Sequence, residues 1–353
     1  MLIKGQSVTF HADDMHFVKK FGIMEATNMV LDFASTSNLP FVYDTYQLAS
    51  LLQLRRSSMF KIVRKCNSYY RDVELKKNNG KVRYISAPLD ILKWTQKCIL
   101  TNILEKYPVS KFATAYRKGL KLVDNAKVHT SKKYILKMDL KDFFPSIGFE
   151  QVYSCVFNTR HFPKQIGVIL TSFCCRNGVL PQGAPTSPAI SNIVMRNFDD
   201  IFGAWCEKQG FSYTRYCDDI TVSGNKSLYV AFVKAKAMLE KMGYEINTKK
   251  THFLTNASCQ TVTGLTVNER ARIPSDYRRN LRQEIYYAQK FGVKDAVMRA
   301  NREEYIVDGK VDEHRYISHL EGKVQYILQI EPENEYFKKA LKTVQNLRPL
   351  GNF

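Results

Sequence analysis

The stretch "YTRYCDDITVSG", residues 213–224, places two adjacent carboxylates, Asp218 and Asp219, between runs of aromatic and β-branched residues. Such runs on either side of a short polar segment predict two strands joined by a tight turn. Two carboxylates held side by side repel each other, and this repulsion raises one pKa unless a cation lies between them. The turn is therefore either a solvated acidic turn or part of a site for magnesium or manganese, which prefer oxygen ligands.

A third carboxylate stands at the end of another predicted strand. In "KMDLKDFFPS", residues 137–146, Asp139 directly follows an apolar run, where a charge is unfavourable unless it has a partner or a function. Together with Asp218 and Asp219 it gives three carboxylates at the ends of neighbouring strands, enough to hold two metal ions roughly 4 Å apart. Two such ions stabilise the attacking and leaving oxygens of an in-line phosphoryl displacement, so the predicted reaction is nucleotidyl transfer.

The segment "VLPQGAPTSPAISN", residues 179–192, has Gly183 between prolines and ahead of a predicted helix. A glycine at this place lets the backbone approach a nucleotide or a template closely. Gln182 beside it can offer hydrogen bonds to the same ligand. The alternative is an ordinary rigid loop.

The charge of the chain favours a polyanionic partner. Its 353 residues include 53 Lys and Arg against 33 Asp and Glu, a formal charge of +20, which favours nucleic acid over a merely solvated basic surface. No segment reaches the roughly 18 apolar residues of a membrane span, so no membrane partner is expected. The N-terminal residues lack an apolar signal core. Eight cysteines without a C-x-x-C pair predict reduced, mostly buried thiols in a cytoplasmic protein.

Periodicity and turn residues predict the remaining elements. Asp44 is a candidate helix N-cap with Gln47 three residues later. Asn79-Gly80 in "RDVELKKNNGKVRYISAP" supplies the positive φ angles of a tight hairpin. The other predictions are a helix from Leu92, a strand over 134–140, a helix over 149–157, a loop over 178–188, a helix ended by Gly243, a strand in "YEINTKKT" and three amphipathic helices around 277–288, 316–327 and 337–347. The pattern predicts an α+β sheet with packed helices, followed by a basic helical tail.

Asp139 with Phe143 and Phe144, "LPQGAPTSP" and "YCDD" resemble motifs A, B and C of reverse transcriptases, in that order. The resemblance implies a right-hand polymerase fold with a palm of antiparallel sheet and packed helices. It implies fingers over 41–130, a palm over 131–268 and a helical thumb over 269–353. Residues 1–40 would be an N-terminal extension of unknown role.

The resemblance also implies the roles of individual residues. Asp139, Asp218 and Asp219 would be catalytic and would hold two Mg²⁺ ions, with Mn²⁺ as a substitute and the backbone carbonyl of Leu140 as a further ligand. Phe144, five residues after Asp139, would be the aromatic gate that excludes the ribose 2′-hydroxyl; the alternative is a plain core residue.

Further residues would contact the incoming nucleotide. Gln182 and Gly183 would line it, and Arg83 would grip its triphosphate together with Lys76, Lys77 or Lys81. "NTKKT", residues 247–251, resembles motif D, in which a lysine protonates the leaving pyrophosphate. The sequence leaves Lys249 and Lys250 open, and either could be a simple surface lysine.

Two short motifs resemble those of bacterial retron reverse transcriptases. "DNAKVH" contains N-A-x-x-H at Asn125 and His129, and "TVTGLTVN" contains V-T-G at Val262, Thr263 and Gly264. The family commonly has alanine where Cys217 stands. The resemblance implies that these five residues and the thumb cations bind RNA; the cations are Arg278, Arg279 and Arg282.

The retron resemblance implies the partners as well. They are a cognate structured noncoding RNA that serves as primer and template, the branched multicopy single-stranded DNA copied from it, dNTPs, and a separately encoded effector in antiphage defence. The alternatives are a group II intron-like enzyme, an abortive-infection polymerase, and a non-catalytic nucleic-acid-binding scaffold. An RNA-dependent RNA polymerase is disfavoured by Phe144.

Overall fold

The computed structural model of the protein describes residues 2–4, 7–76, 80 and 82–348. The chain divides into two compact units. The first contains the chain up to Leu120, then Leu136–Val222 and Leu228–His252, and the second contains Lys121–Ile135, Ser223–Ser227 and the chain from Phe253 onward. This grouping does not follow the predicted fingers, palm and thumb boundaries, which remain proposals.

The N-terminal segment, for which the sequence predicts no role, forms a short hairpin and two helices. These are β1 (Leu2–Lys4), β2 (Ser7–Thr9), α1 (Met15–Phe21) and α2 (Ile23–Thr36). Phe17, Ala26 and Val30 are fully buried at the centre of a small core with several aromatic neighbours. The exclusion of these apolar side chains from water holds the segment in a defined conformation.

Two helices and a hairpin follow. They are α3 (Thr45–Leu51), α4 (Arg56–Arg64), β3 (Tyr70–Lys76) and β4 (Val82–Pro88). Asp44 caps α3 as predicted, because its side chain accepts hydrogen bonds from the amides of Tyr46 and Gln47. β3 and β4 pair antiparallel from Tyr70 with Pro88 to Lys76 with Val82, which confirms the predicted hairpin. Gly80 has the expected positive φ of 77°, whereas Lys77, Asn79 and Lys81 lie outside the described residues.

The central sheet has four strands in the order β6, β7, β5, β8. Its strands are β5 (Tyr134–Asp139), β6 (Ser212–Tyr216), β7 (Asp219–Gly224) and β8 (His252–Thr255). The accompanying helices are α5 (Asp90–Asn102), α6 (Leu122–Lys127), α7 (Phe149–Cys155), α8 (Lys164–Cys174), α9 (Ser187–Lys208) and α10 (Tyr229–Lys241). The predicted loop before α9 ends slightly early, because Pro188 is accommodated in the first helical turn.

The strand predicted over "YEINTKKT" is wrong. Only Ile246 makes a bridge, to Leu140, and Thr248–Lys250 forms a turn of 3-10 helix. The amide of Asn247 donates to the carbonyl of Asp139 at 2.8 Å. This bond ties the segment to the end of β5 and turns the chain before a strand can continue.

The second unit carries the predicted tail helices. They are α11 (Ser275–Phe291), α12 (Val293–Arg299), α13 (Glu313–Ile330) and α14 (Glu335–Asn346), with the short strands β9 (Thr261–Val262), β10 (Leu265–Thr266), β11 (Ile306–Val307) and β12 (Lys310–Val311). The three amphipathic helices are confirmed as α11, α13 and α14, while α12 and the β11–β12 hairpin were not predicted. Fully buried Tyr316, Leu320 and Val324 on α13 lie in the core of this unit.

All eight cysteines are free, and six of them are buried, whereas Cys155 and Cys259 are exposed. Across the described ranges, no helix combines the length and apolar character that crossing a bilayer would require.

Candidate active site

The acidic turn lies at the junction of β6 and β7. β6 ends at Tyr216 and β7 begins at Asp219, so only Cys217 and Asp218 make the connection. Cys217 has a φ of 61°, in the left-handed region that non-glycine residues seldom adopt. Its side chain is buried while both aspartates are half-buried. The amide of Leu140 donates to the carbonyl of Asp218 at 3.1 Å, which fastens the turn to the end of β5.

The three predicted carboxylates interact electrostatically. Burial, followed by the negative charges of Asp218 and Asp139, raises the pKa of Asp219 to about 6, while Lys137 and Lys250 oppose the rise. A raised pKa means that the folded protein resists holding the full set of negative charges. A cation placed among the carboxylates would relieve this repulsion.

Asp139 already has a cationic partner in the structure. The Nζ of Lys250 lies 2.8 Å from Oδ1 and 2.9 Å from Oδ2 of this buried carboxylate. The ammonium group of Lys250 therefore neutralises the charge of this carboxylate. Lys249 and Lys250 are both exposed, but it is Lys250 that contacts Asp139. The contact with Asp139 favours Lys250 over Lys249 for the motif D role. That Lys250 protonates the leaving pyrophosphate remains a prediction.

The fit of a divalent metal rests on donor chemistry and on charge. Within the described ranges, no three His, Cys, Asp or Glu side chains are grouped tightly enough to enclose an ion as they stand. The carboxylates nevertheless lie close enough for Asp139 and Asp218 to raise the pKa of Asp219. Their oxygen donors suit Mg²⁺ or Mn²⁺, and Lys250 on Asp139 marks the position where a cation is favourable. The three carboxylates therefore fit a magnesium-type ion if the Lys250 side chain moves away from Asp139.

The two adjacent phenylalanines after Asp139 have different environments. Phe143 is buried, with its ring 6.0 Å from that of Tyr244, whereas Phe144 is only half-buried. The two rings lie 5.6 Å apart. Phe143 thus serves the core and supports Phe144, which keeps an accessible surface for the predicted gate.

The loop with Gln182 and Gly183 packs against β4 of the hairpin. The amide of Ser86 donates to the carbonyl of Gln182 at 2.8 Å. Gly183 has a φ of 126°, and a Cβ at this position would lie 2.6 Å from Cγ2 of Ile85 and 2.8 Å from the carbonyl oxygen of Ser86. Both the backbone angle and the space therefore require glycine here. The structure joins these two predicted nucleotide-binding elements.

The predicted triphosphate cations are only partly described. Arg83 is exposed on β4, opposite Leu75 in the register of the hairpin. Lys76 is exposed at the end of β3. Lys77 and Lys81 lie outside the described residues, so their predicted role has no structural account.

In the second unit, the N-A-x-x-H and V-T-G motifs come together. The side-chain amide of Asn125 donates to Oγ1 of Thr263 at 3.3 Å, and Nδ1 of His129 lies 2.7 Å from Oγ of Ser223. Burial, with a smaller effect of Lys132, lowers the pKa of His129 to about 3, so this histidine is neutral.

Burial bears on the RNA contacts predicted for these motifs. Asn125, His129 and Val262 are at most 1% exposed, so their side chains offer no surface to RNA. Asn125 instead connects α6 to the β9–β10 turn through Thr263, and His129 contacts Ser223 on β7. Thr263 is half-buried with a φ of 46°, and Gly264 is exposed with a φ of 80°. RNA contact at this turn remains a prediction for Thr263 and Gly264 alone.

The predicted thumb arginines differ in availability. Arg278 is mostly buried and lies 3.6 Å from Glu331. Arg279 is exposed and pairs with Asp276 at 2.9 Å. Arg282 is exposed, with its guanidinium 4.8 Å from the ring centroid of Tyr336. Of the three, Arg282 is the one that is exposed and forms no ion pair with a carboxylate that the structure describes.

A basic surface on and beside α4 was missed by sequence reasoning. Its cations are Arg55, Arg56, Lys61, Arg64 and Lys65, all exposed. None of them forms an ion pair with any carboxylate that the structure describes. The signal was present in the sequence, since no acidic residue occurs between Asp44 and Asp72.

The chain belongs to the reverse transcriptase (RNA-dependent DNA polymerase) family, whose model matches residues 75–277, more than half of its length. This membership confirms the predicted α+β, right-hand polymerase fold class. Within the family the chain is a retron reverse transcriptase, an RNA-directed DNA polymerase. Its similarity to retron reverse transcriptases of Escherichia coli and Myxococcus xanthus supports this placement.

The retron Ec86 reverse transcriptase of Escherichia coli is 29% identical over 303 residues, 84% of this chain and 87% of the relative. The retron Mx65 reverse transcriptase of Myxococcus xanthus is 30% identical over 302 residues, 80% of this chain and 65% of the relative. The retron Ec73 reverse transcriptase of Escherichia coli is 33% identical over 215 residues, 55% of this chain and 67% of the relative. Among solved structures, telomerase from Candida albicans in complex with a TWJ fragment of telomeric RNA is 12% identical with a TM-score of 0.44, over 96% of this chain and 76% of that one.

Proposed function

We propose that the protein copies a cognate structured noncoding RNA, which is both primer and template, into branched multicopy single-stranded DNA in the cytoplasm. The observation that carries this proposal is the convergence of Asp139, Asp218 and Asp219 in a chain of the retron branch. Burial, followed by the charges of Asp218 and Asp139, raises the pKa of Asp219, and such an environment suits a site that binds divalent cations during the reaction.

Asp139, Asp218 and Asp219 would hold two Mg²⁺ ions, with the carbonyl of Leu140 as a further ligand. When bound, the ions supply electrostatic stabilisation of the attacking and leaving oxygens in an in-line displacement. Lys250, now on Asp139, would move to the leaving pyrophosphate and give it a proton.

The remaining residues would select and place the dNTP. The half-buried ring of Phe144 would contact the ribose where a 2′-hydroxyl would project, which favours deoxynucleotides. Gln182 and Gly183 would form the floor under the nucleotide, fixed by the bond from Ser86 to Gln182. Arg83 on the same strand would bind the triphosphate through charge-assisted hydrogen bonds.

The grip on RNA would be electrostatic. Arg282 of the second unit and the unpaired cations of the α4 surface would neutralise phosphates of the noncoding RNA. Single-stranded or bulged bases would supply specificity through contacts such as the exposed Gly264 turn. DNA synthesis would begin from the 2′-hydroxyl of an internal guanosine of the RNA. The protein would act in antiphage defence together with a separately encoded effector.

The test is to express the chain with its flanking genomic DNA and to extract nucleic acid from the purified protein. Half of the extract is treated with RNase and debranching enzyme before a denaturing gel. Asp218→Asn, nearly isosteric but without the charge, is the control. We expect a discrete DNA band that shifts on debranching and is missing from the variant. RNA without DNA in both preparations would overturn the proposal, and DNA that does not shift would indicate an unbranched product of another type of bacterial reverse transcriptase.

A further inference from the structure

A fully buried ion pair lies beneath the acidic turn. Arg215 on β6 and Asp199 on α9 are both 0% exposed. Nε of Arg215 lies 2.9 Å from Oδ1 of Asp199, and Nη2 lies 2.6 Å from Oδ2. The hydroxyl of Tyr213 also donates to Oδ1 of Asp199 at 2.6 Å. The carboxylate is thus saturated by donors, which a buried charge requires.

The other bonds of Arg215 reach two functional segments. Nη1 donates to the backbone carbonyl of Cys217 at 2.9 Å, inside the turn that carries Asp218. Nη2 donates to Oδ1 of Asn192 at 3.1 Å, and Asn192 in turn donates from Nδ2 to the carbonyl of Ala115 at 2.9 Å. Asn192 lies on α9, the helix that begins just after the Gln182–Gly183 loop.

The arrangement of these contacts is rigid. Asn192 and Asp199 are seven residues apart on α9, so they occupy one face of the helix, two turns apart. The planar guanidinium can bridge this face to the turn because its donors point in fixed directions. A lysine at the same place would offer a single charged group and could not satisfy Asp199, Asn192 and the Cys217 carbonyl together.

The Cys217 carbonyl is the place where such support has most effect. The residue has a φ of 61°, a conformation that costs energy for a side chain and persists only when surrounding contacts fix it. The hydroxyl of Tyr116 also lies 3.5 Å from Sγ of Cys217. Because the turn has only two residues, a change at Cys217 moves the directions of Asp218 and Asp219.

We propose that Arg215 is a positioning residue that sets the acidic turn for metal binding and couples it to the helix behind the nucleotide-binding loop. Arg215 touches neither substrate nor metal and acts through the Cys217 carbonyl. The inference rests on the proposed role of Asp218 and Asp219 as metal ligands. It predicts that loss of the guanidinium weakens metal binding and catalysis before it affects RNA binding.

The test uses the full chain with its RNA and compares three variants. The double variant Arg215→Met with Asp199→Leu removes both buried charges at once, which keeps a protein folded far better than removing one partner. Tyr213→Phe is the matched control, because it removes one hydrogen bond to Asp199 and leaves the bond to Cys217. Arg215→Lys keeps the charge beside Asp199 but loses the bridge, and it serves if the double variant does not fold.

The readouts are thermal unfolding, RNA affinity, the kcat and KM for dNTP, and Mn²⁺ binding measured by electron paramagnetic resonance. For the double variant or Arg215→Lys, we expect folded protein with unchanged RNA affinity and a similar KM. We also expect about tenfold weaker Mn²⁺ binding and a kcat lower by about 10²-fold, the size of effect seen when catalytic groups are misplaced. For Tyr213→Phe, both the Mn²⁺ affinity and kcat should stay within about threefold of the parent values. This is well below the tenfold change that corresponds to about 1.4 kcal/mol.

The outcome separates the inference from the proposed function. If the parent chain makes no DNA, the proposed function fails whatever the variants do. If the parent makes DNA and a folded Arg215 variant keeps its kcat and Mn²⁺ affinity, the positioning role is overturned. Equal losses in RNA affinity and kcat would also overturn it, because they would indicate a general structural role.

Discussion

Replacing Asp219 by asparagine should stabilise the metal-free protein while it removes activity. The substitution keeps the size of the side chain and deletes one of three mutually repelling charges. Burial and the charges of Asp218 and Asp139 raise the pKa of Asp219 from 3.8 to about 6. The folded state therefore bears an electrostatic penalty whenever Asp219 is ionised, and the variant does not.

The expected gain in the free energy of unfolding follows from the pKa of Asp219. A tenfold change in proton affinity corresponds to about 1.4 kcal/mol, so the rise corresponds to at most about 3 kcal/mol. Because the side chain is only half-buried, solvent screening reduces this to about 1–2 kcal/mol. For a chain of 353 residues, such a gain raises Tm by about 1–3 °C.

The pH dependence has a definite sign. Between the ordinary pKa of 3.8 and the folded-state pKa of about 6, the folded parent binds more protons than the unfolded chain. Stability of the parent therefore falls as pH rises through this window, and the penalty is complete above it. The advantage of Asp219→Asn should be full at about pH 7.5 and absent at about pH 4.

The assay is thermal unfolding of nuclease-treated protein in EDTA at both pH values, repeated with excess Mg²⁺. Excess Mg²⁺ should narrow or reverse the difference, because the ion binds the parent more tightly than the variant. Asp308→Asn is the matched control, since Asp308 is exposed in a left-handed turn that asparagine also tolerates. An Asp219→Asn protein that is no more stable than the parent in EDTA at neutral pH would refute the idea of a repulsive carboxylate cluster.

Further predictions concern the nucleotide and the RNA. Phe144→Ala should raise ribonucleotide use relative to deoxynucleotide use by about tenfold or more in a competition assay, because the gate is removed. Gly183→Ala should lower the free energy of unfolding by about 1–3 kcal/mol and raise the KM for dNTP, because its Cβ would meet β4. Lys250→Gln should lower the single-turnover rate constant for dNTP incorporation by about 10²-fold, and Lys249→Gln should leave it unchanged. Replacing Arg64 and Lys65 by glutamine should reduce the slope of log Kd for RNA against log salt by about 1.4–1.8.

Much of the fold could be predicted because the relevant signals are local. The runs around Asp218 and Asp219 specify their hairpin, and Asp44 specifies the start of α3 through its own side chain. The three tail helices follow from apolar periodicity. By contrast, α12 is only Val293–Arg299 and β11 is only Ile306–Val307. Segments this short carry too little periodicity to be recognised.

The details of the site depend on contacts between distant parts of the chain. The carboxylates could be predicted, because charges at the ends of apolar strands are unusual. The strand predicted over "YEINTKKT" does not form, and Lys250 lies beside Asp139, because Asn247 and Lys250 both donate hydrogen bonds to Asp139. Asp139 is more than 100 residues away in the sequence, so these contacts could not be predicted. The burial of His129 against Ser223 likewise depends on packing that a motif does not reveal. Arg215 is informative in retrospect, because a charge within a buried strand demands a buried partner.

If the protein works as proposed, the carboxylates at the end of β5 and at the β6–β7 turn support metal-dependent copying of RNA into DNA. The direct measurement is incorporation of dNTPs on an RNA template by the purified protein, with Mg²⁺ or EDTA. We expect DNA synthesis that requires Mg²⁺ and falls by about 10²-fold or more in Asp139→Asn and in Asp218→Asn, with RNA affinity unchanged. Synthesis that continues in EDTA, or variants that copy RNA at the parent rate, would contradict this proposal.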